Sequence, residues 1–293
     1  MVDKAAGLTS HDVVARVRRL LGTRKVGHAG TLDPMATGVL LVGVDRATRL
    51  LGHLVLTDKE YAATIRLGVG TVTDDAEGEV TGTPGLPEVD ASVLEAAMAP
   101  LRGDIAQVPT AVSAIKVDGV RSYARVRAGQ AVALVARPVR VERFEVLARR
   151  AVSQQGVPCL DLDVVVVCSS GTYVRALARD LGAALGSVGH LTALRRTRVG
   201  PFTLDEAVQL PVAAERGQQQ PPLPLLGMGD VVARCFATRT LTSEQEAAVR
   251  VGRALPGLEL PPGVVALLSP AGEFLALYRD RDGRAVAEAV FTG

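Results

Sequence analysis

The chain has 293 residues, close to the size at which a single hydrophobic core stops growing, so one large domain with a smaller companion is the natural organisation. Hydrophobic residues make up 48%, mostly Ala, Val and Leu, while aromatics are only 3% and Trp is absent, which argues against a surface that stacks many bases in succession. A formal net charge of +2 does not by itself mark a nucleic-acid binder; the basic charge is local, in Arg16, Arg18, Arg19, Arg24 and Lys25 and again in Arg195, Arg196 and Arg198.

Cys159, Cys168 and Cys235 have neither CxxC nor zinc spacing and read as reduced, small apolar side chains. No signal-peptide pattern opens the chain, and charges, Gly or Pro interrupt each apolar run short of membrane-spanning length, so a soluble, cytoplasmic protein is expected.

Thr9-Ser10-His11-Asp12 has the form of a capping box. Val13, Val14, Val17, Leu20 and Leu21 follow at helical spacing as far as Gly22, and Arg16 and Arg19 occupy the opposite face. Gly27-His28-Ala29-Gly30-Thr31-Leu32-Asp33-Pro34-Met35-Ala36-Thr37-Gly38 then reads as neither helix nor strand. Pro34 fixes its own φ and pushes Asp33 towards extended geometry, so the carboxylate sits at a stiff corner before the apolar run Val39–Val42. A structural Asx-turn and a functional acid both remain open on these residues alone.

Tyr61 to Leu67 alternates as a half-buried strand with Tyr61, Ala63, Ile65 and Leu67 on one face. Gly68-Val69-Gly70 lacks the third glycine of a dinucleotide fingerprint, and Asp74, Asp75, Glu77 and Glu79 miss the EF-hand spacing and read as a solvated turn. After a Pro/Gly break at Thr83 to Pro87, Asp90 is expected to cap a helix running through Met98. Val112 to Val117 reads as a strand ending in an Asp118-Gly119 turn, Ser122 to Arg127 as a helix stopped by Gly129, and Val139 to Val146 as another strand.

Leu160 to Cys168 becomes apolar throughout, as a central strand should. Ser169 to Thr172 turns it into a helix whose buried face is Val174, Leu177, Ala178, Leu181 and Leu185. Arg175 falls in the first turn of that helix, where the dipole disfavours a cation, so it calls for a nearby anion: a surface carboxylate or one in a site. His190 to Arg198 follows, and Thr203 to Glu206 reads as the capped start of a short helix. Gly217 to Pro224 is the clearest linker. Beyond it come a capped helix at Thr242 to Val251 and three strands near 264–268, 274–278 and 285–291, joined by Ala-Gly and Asp-Gly turns. The expected domains are 1–216, a linker at 217–230, and 231–293.

His11, His28, His53 and His190 show no metal-ligand spacing, and no Walker loop or Gly-x-Ser-x-Gly elbow occurs. What remains is a single carboxylate with an arginine partner. A free Asp titrates near about 3.9 and an adjacent Arg lowers that by roughly 1–3 units, so Asp33 beside Arg175 is expected to be ionised, as a nucleophile or base requires.

Asp3-Lys4 with Gly7-Leu8-Thr9-Ser10-His11-Asp12, then Lys25 through Leu40, resembles the bacterial TruB-type tRNA pseudouridine synthases. Lys59-Glu60-Tyr61 with its Asp-rich turn, Ser113 to Gly119, Cys168 to Arg175 with Asp180-Leu181-Gly182, and Leu194-Arg195-Arg196 before Gly200 and Phe202 extend the match, in order, over most of 1–210. The resemblance implies an α+β fold: a mixed, mainly antiparallel sheet flanked by helices, with a small β-rich PUA-like C-terminal domain that binds RNA. It implies isomerisation of uridine to pseudouridine in the T loop of tRNA, at position 55.

Residue by residue, Asp33 matches the catalytic aspartate and Tyr61 the tyrosine that stacks on the flipped base and assists proton removal. Arg175 matches the arginine that pairs with the aspartate, and Leu194 a pocket-lining leucine. His28 matches the histidine that accommodates displaced RNA, while Lys4 and Tyr173 match positions near the site. The isomerisation is redox-neutral and without hydrolysis, so neither cofactor nor metal is implied. The implied partner is the T stem-loop of tRNA, bound by a monomer with no obligate protein partner and no membrane. An RNA-folding chaperone, or a synthase acting on another RNA, is the alternative. Ala5, Thr110 and Val112 depart from the family's usual proline, proline and aromatic.

Overall fold

The computed structural model describes residues 1–55, 57–111, 116–117, 120–121, 134–211 and 222–292. By compactness the chain separates into two units: Met1–Val17, Gly27–Val42 and Leu51–Val212 in one, and Arg18–Val26, Gly43–Leu50 and Ala213–Gly293 in the other.

The first unit is built on a sheet that has nine strands among the described residues. Its path runs β1 (Val2–Lys4), β3 (Thr37–Val44), β12 (Gly189–Val199), β4 (Lys59–Leu67), β11 (Val157–Cys168), β10 (Arg137–Gln154) and β7 (Gly103–Gln107). Off this path, β2 (Val26–Ala29) pairs with β3, and β13 (Phe202–Thr203) with β12. Every pairing along the path is antiparallel except β3 with β12, which is parallel. This is the mixed, mainly antiparallel α+β fold that was expected. Two small hairpins, β5 (Gly70–Thr71) with β6 (Val80–Gly82) and β8 (Lys116–Val117) with β9 (Val120–Arg121), stand off it.

Pattern explains the central strands. Tyr61, Ala63, Ile65 and Leu67 of β4 are buried on one face and Leu160, Leu162, Val164 and Val166 of β11 pack beside them. Each fully buried aliphatic side chain stabilises the fold by about 1.5–3 kcal/mol. On the other face Arg66 grips the buried Asp161 with two bonds, of 2.8 and 2.7 Å, and Thr64 donates to Asp163 at 2.7 Å, so polar cross-strand pairs replace apolar ones there.

Helix α1 (Ser10–Leu21) begins with the expected capping box: Thr9 donates its N–H to the Asp12 carboxylate at 2.8 Å, and the Asp12 N–H returns a bond to Thr9 Oγ1 at 3.1 Å. Val13, Val14 and Val17 form its buried face. Among the described residues the other α-helices here are the single turn α2 (Leu51–Leu54), α3 (Ala91–Met98) and α4 (Val174–Ala184). Val174, Leu177, Ala178 and Leu181 are buried on α4 as expected, and Leu185 is its half-buried C-cap.

The second unit has a core of its own around Leu241, Val249, Val265, Leu267, Leu275 and Tyr278. Its sheet runs β14 (Ala237–Thr240), β16 (Val264–Leu268), β17 (Phe274–Arg281), β18 (Arg284–Val290) and β15 (Leu255–Pro256). Helix α5 (Met228–Cys235) precedes it, and α6 (Ser243–Arg250) is capped by a Thr242–Gln245 box. Among the described residues no helix is long and apolar enough to cross a membrane.

Several expectations differ from the structure. The ends of 27–38 are strand, because β2 and β3 pair through backbone that tolerates glycine, and the turn proper is shorter. Asp90 stands at the N-cap of α3 without a side-chain bond, and Leu204–Glu206 is one 3-10 turn, too short to bury a face. Strand β10 runs far beyond Val146 because β11 pairs with it as far as Gln154. Helix α5 lacked a recognised start signal. The readings at 112–115, 118–119 and 122–133, and most of the Gly217 to Pro224 linker, lie outside the described residues.

One contact fixes how β3 meets β12. Gly38 has φ +102°, and a Cβ there would fall 2.1 Å from the Arg196 carbonyl oxygen. Gly38→Ala is therefore expected to cost at least ~2 kcal/mol, read as a lower urea midpoint of unfolding. An unchanged midpoint would contradict so close an approach of the two strands.

Candidate active site

The loop between β2 and β3 carries Asp33, and three side chains from elsewhere pin it. Ser10, at the start of α1, accepts the Leu32 N–H at 3.0 Å and donates to the Leu32 carbonyl at 3.2 Å. Lys4 Nζ donates to the carbonyls of Leu8, Ala5 and Pro34 at 2.6, 3.0 and 3.1 Å. Arg196, from β12, donates to Val39 O at 2.7 Å, Gly30 O at 2.8 Å and Thr31 O at 3.5 Å. Three buried donors thus aim one short loop.

Arg175 meets Asp33 fork to fork, Nε to Oδ2 at 3.0 Å and Nη2 to Oδ1 at 3.2 Å. Its remaining Nη1 donates to Thr73 O at 2.7 Å and lies 3.4 Å from the Asp75 carboxylate. This answers the puzzle of a cation in the first turn of α4: two carboxylates offset the unfavourable dipole position. The arginine side chain is 5% exposed and that of Asp33 35%, so the carboxylate is the member of the pair that an incoming molecule can reach.

Asp75 corrects the expectation of a solvated acidic turn. It is 2% exposed, and its carboxylate accepts the Thr73 hydroxyl at 2.5 Å and the Glu77 N–H at 3.0 Å. Asp74 is buried as well and faces Arg179 at 3.4 Å. The turn folds inward because two arginines of α4 lie under it.

The direction of the Asp33 shift also differs from expectation. Burial pushes its carboxyl up from the ordinary value; Arg175 opposes this, and the nearby Asp75 reinforces it. An ion pair with arginine implied a downward shift, but here desolvation and a second carboxylate outweigh it.

A cavity of about 240 Å³ opens over this pair, below the ~300–1,000 Å³ of a drug-sized pocket and suited to one small ring. Asp33, Tyr61, Arg175, Leu194 and Tyr173 all line it, so five of the seven anticipated residues come together. Tyr173 precedes α4, and the Gln107 side-chain amide holds both its N–H, at 2.8 Å, and its carbonyl, at 3.1 Å. Lys4 lies beneath the loop and acts through it. His28, on β2, is outside the lining; its ring stands edge-on to His11 at 5.5 Å, and its Nδ1 is buried without a hydrogen-bond partner. Burial, with the charges of His11 and Arg196, lowers its pKa.

Lys59 and Arg196 line the cavity too and were missed. Each stands two residues from an anticipated position, Tyr61 and Leu194, and so shares its face; strand alternation was the available signal. Asp75 carried no local signal. Among the departures, Thr110 is buried and its hydroxyl donates to Thr73 O at 3.3 Å, the carbonyl that also receives Arg175, a bond proline has no donor to make. Ala5 supplies a carbonyl to Lys4, and Val112 is outside the described residues. No group of three or more His, Cys, Asp or Glu that could hold a metal ion occurs among the described residues.

Family models match along most of the chain: the N-terminal domain of TruB family pseudouridylate synthases over residues 18–174, the tRNA pseudouridylate synthase B C-terminal domain over 175–214, and the C-terminal domain of tRNA pseudouridine synthase II over 236–292. The chain belongs to the TruB family. A TruB relative from Cutibacterium acnes, described as tRNA pseudouridine synthase B, is 57% identical with 99% of this chain and 96% of its own length covered. One from Nocardia farcinica with the same description is 58% identical, with 97% and 90% covered. Two solved structures share the fold. A Cbf5-Nop10-Gar1 complex gives TM-score 0.70 at 27% identity, covering 99% of this chain and 84% of that one. An H/ACA RNP bound to a substrate RNA containing 2′-deoxyuridine gives 0.67 at 25%, covering 100% and 84%.

The buried lysines of this TruB family site make stability depend on pH. Burial lowers Lys59 to about 8 in the folded chain, where Val55 O and Thr57 O receive its Nζ at 3.1 and 2.8 Å. Below pH ~8 both states hold the proton; between ~8 and the ordinary ~10.4 only the unfolded chain does, so folding stability gained at this residue rises with pH in that window. Subtracting the unfolding free energy of Lys59→Met from that of the unsubstituted protein should leave a difference that climbs between pH 7.5 and 9.5. A flat difference would place the lysine in water.

Proposed function

We propose that this chain converts uridine to pseudouridine in the T loop of tRNA, at position 55, with Asp33 as the catalytic carboxylate. The observation that carries the reading is the fork-to-fork Asp33–Arg175 pair at the floor of a cavity sized for one base, with Tyr61 and Leu194 on its wall. Membership of the TruB family and the similarity to tRNA pseudouridine synthase B over nearly the whole chain support it.

The isomerisation breaks the C1′–N1 bond, turns the uracil and joins C1′ to C5; C5 gives up its hydrogen and N1 gains one. Atoms and electrons balance within the nucleoside, so no redox partner is called for. The uridine leaves its stack at a cost of a few kcal/mol, offset by contacts in the cavity. In this reading Tyr61 stacks on the flipped base, Leu194 and Tyr173 shape the pocket, and Arg175 orients the carboxylate. Lys4 holds the Asp33 loop, and His28 lies at the RNA edge. The partner is the T stem-loop, bound in the cytoplasm by a monomer that needs no protein partner, with residues 231–293 adding RNA contacts.

Asp33→Asn should lower pseudouridine formation in a T-arm stem-loop by at least ~10³-fold without loss of RNA binding. Retained activity would remove Asp33 from the mechanism. Unsubstituted protein that binds the stem-loop and forms no pseudouridine would make the chain a binding protein instead.

Arg175→Ala should reduce single-turnover rate by about 10²-fold or more while changing stem-loop affinity far less, since the arginine orients a carboxylate instead of gripping RNA. Equal losses in rate and affinity would reassign it to a phosphate contact.

A further inference from the structure

Arg196 is the largest of the fully buried side chains, 1% exposed, and it lines the same cavity as Asp33. Its bonds go to the neutral carbonyls of Val39, Gly30 and Thr31, and no carboxylate forms an ion pair with it among the described residues. A buried cation whose partners are all uncharged is costly and seeks an anion. Arg196 stands directly opposite Tyr61 in the antiparallel pairing of β12 with β4, so both side chains rise from the same face of the sheet.

A guanidinium has only donors. Towards Arg196, therefore, the Tyr61 oxygen can only accept, so a bond between the two favours the phenolate. We infer that Arg196 is a positioning residue for Tyr61, its uncompensated buried charge stabilising the phenolate that removes the C5 proton of the rotated uracil. This rests on the reading of the chain as a pseudouridine synthase. In that step the phenolate oxygen takes the proton, the C5–H electron pair restores the 5,6 double bond of the ring, and N1 receives its proton from water. The tyrosine regains its starting state by releasing a proton to solvent.

Other groups around Tyr61 explain why such help is needed. Burial pushes the phenol up from its ordinary value; Arg196 opposes this by charge and hydrogen bond, and Cys168 and Asp33 act against the phenolate. Cys168, on β11, is itself pushed up to about 11 by burial and so is a neutral thiol near neutral pH. Lys59, on Tyr61's own strand, has its ammonium turned to Val55 O and Thr57 O, and Arg175, at the start of α4, is committed to Asp33 and Asp75. Of the cations that line the cavity, Arg196 is the one left facing the phenol.

The test places 3,5-difluorotyrosine at position 61, which brings the phenol into an accessible range, and follows its titration by fluorine NMR in otherwise unsubstituted protein, in Arg196→Gln and in Arg196→Lys. The midpoint should rise by about one pH unit or more in Arg196→Gln, and by less in Arg196→Lys, whose single ammonium head cannot hold three carbonyls and face the phenol at once. With Tyr61 restored, single-turnover pseudouridine formation on a T stem-loop should fall by about tenfold or more in Arg196→Gln, and stem-loop affinity by less than about threefold. Thermal unfolding checks that each variant is folded, and Arg196→Lys carries the comparison if Arg196→Gln is not. Unmoved midpoints overturn the inference, as does a shifted midpoint with an unchanged rate. Unsubstituted protein that forms no pseudouridine overturns the parent reading instead, whatever the titration gives.

Discussion

The guanidinium of Arg175, buried between Asp33 and Asp75, is the interaction on which the rest of the site depends. It brings together three stretches that share no local reason to meet: the corner after β2, the acidic turn after β5, and the first turn of α4. Each would be poorly placed alone. An arginine at a helix N-terminus opposes the dipole, a buried carboxylate lacks water, and an acidic turn repels itself. Taken together, the three liabilities satisfy one another.

Around that pair the protein uses cations in a second way. Lys4, Lys59 and Arg196 direct their donors at backbone carbonyls, and each thereby holds a segment of chain: the Asp33 loop for Lys4 and Arg196, the turn before β4 for Lys59. Carbonyls orient a cation without neutralising it, so Lys59 and Arg196 leave positive charge in the cavity wall, as suits a site whose substrate is a polyanion. Stability is given up for this. The lowered pKa values of Lys4 and Lys59, both about 8 and both caused first by burial, record the strain of keeping charge out of water.

Much of this was legible in the residues. The capping box at Thr9, the alternation from Tyr61 to Leu67 and the apolar run ending at Cys168 each specify an element locally, and the structure has them. Asp33 stood out by the Gly and Pro residues around it and Arg175 by its unfavourable place in a helix's first turn, whereas Tyr61 and Leu194 were singled out only by the family resemblance. Asp75 did not stand out, because an acid in a turn looks solvated until the arginine that reaches it from α4 is known. The sign of the Asp33 shift was lost for a related reason: the family resemblance names the arginine partner but says nothing of desolvation or of a second carboxylate. Lys59 and Arg196 show the opposite case, where the alternation rule already in use would have placed them beside Tyr61 and Leu194.

The parallel pairing of β3 with β12 joins Thr37 and Gly38 to Arg195 and Arg196, and the bond between Arg196 and Gly30 spans 166 positions of chain. Closing so long a loop is entropically slow, and little local structure rewards it before the last strand arrives. During synthesis, then, the loop bearing the acid is made early and stays unsupported until more than half of the polypeptide has followed it. The Asp33 corner acquires its shape only when the sheet is sealed, so an unfinished chain has the aspartate without its setting.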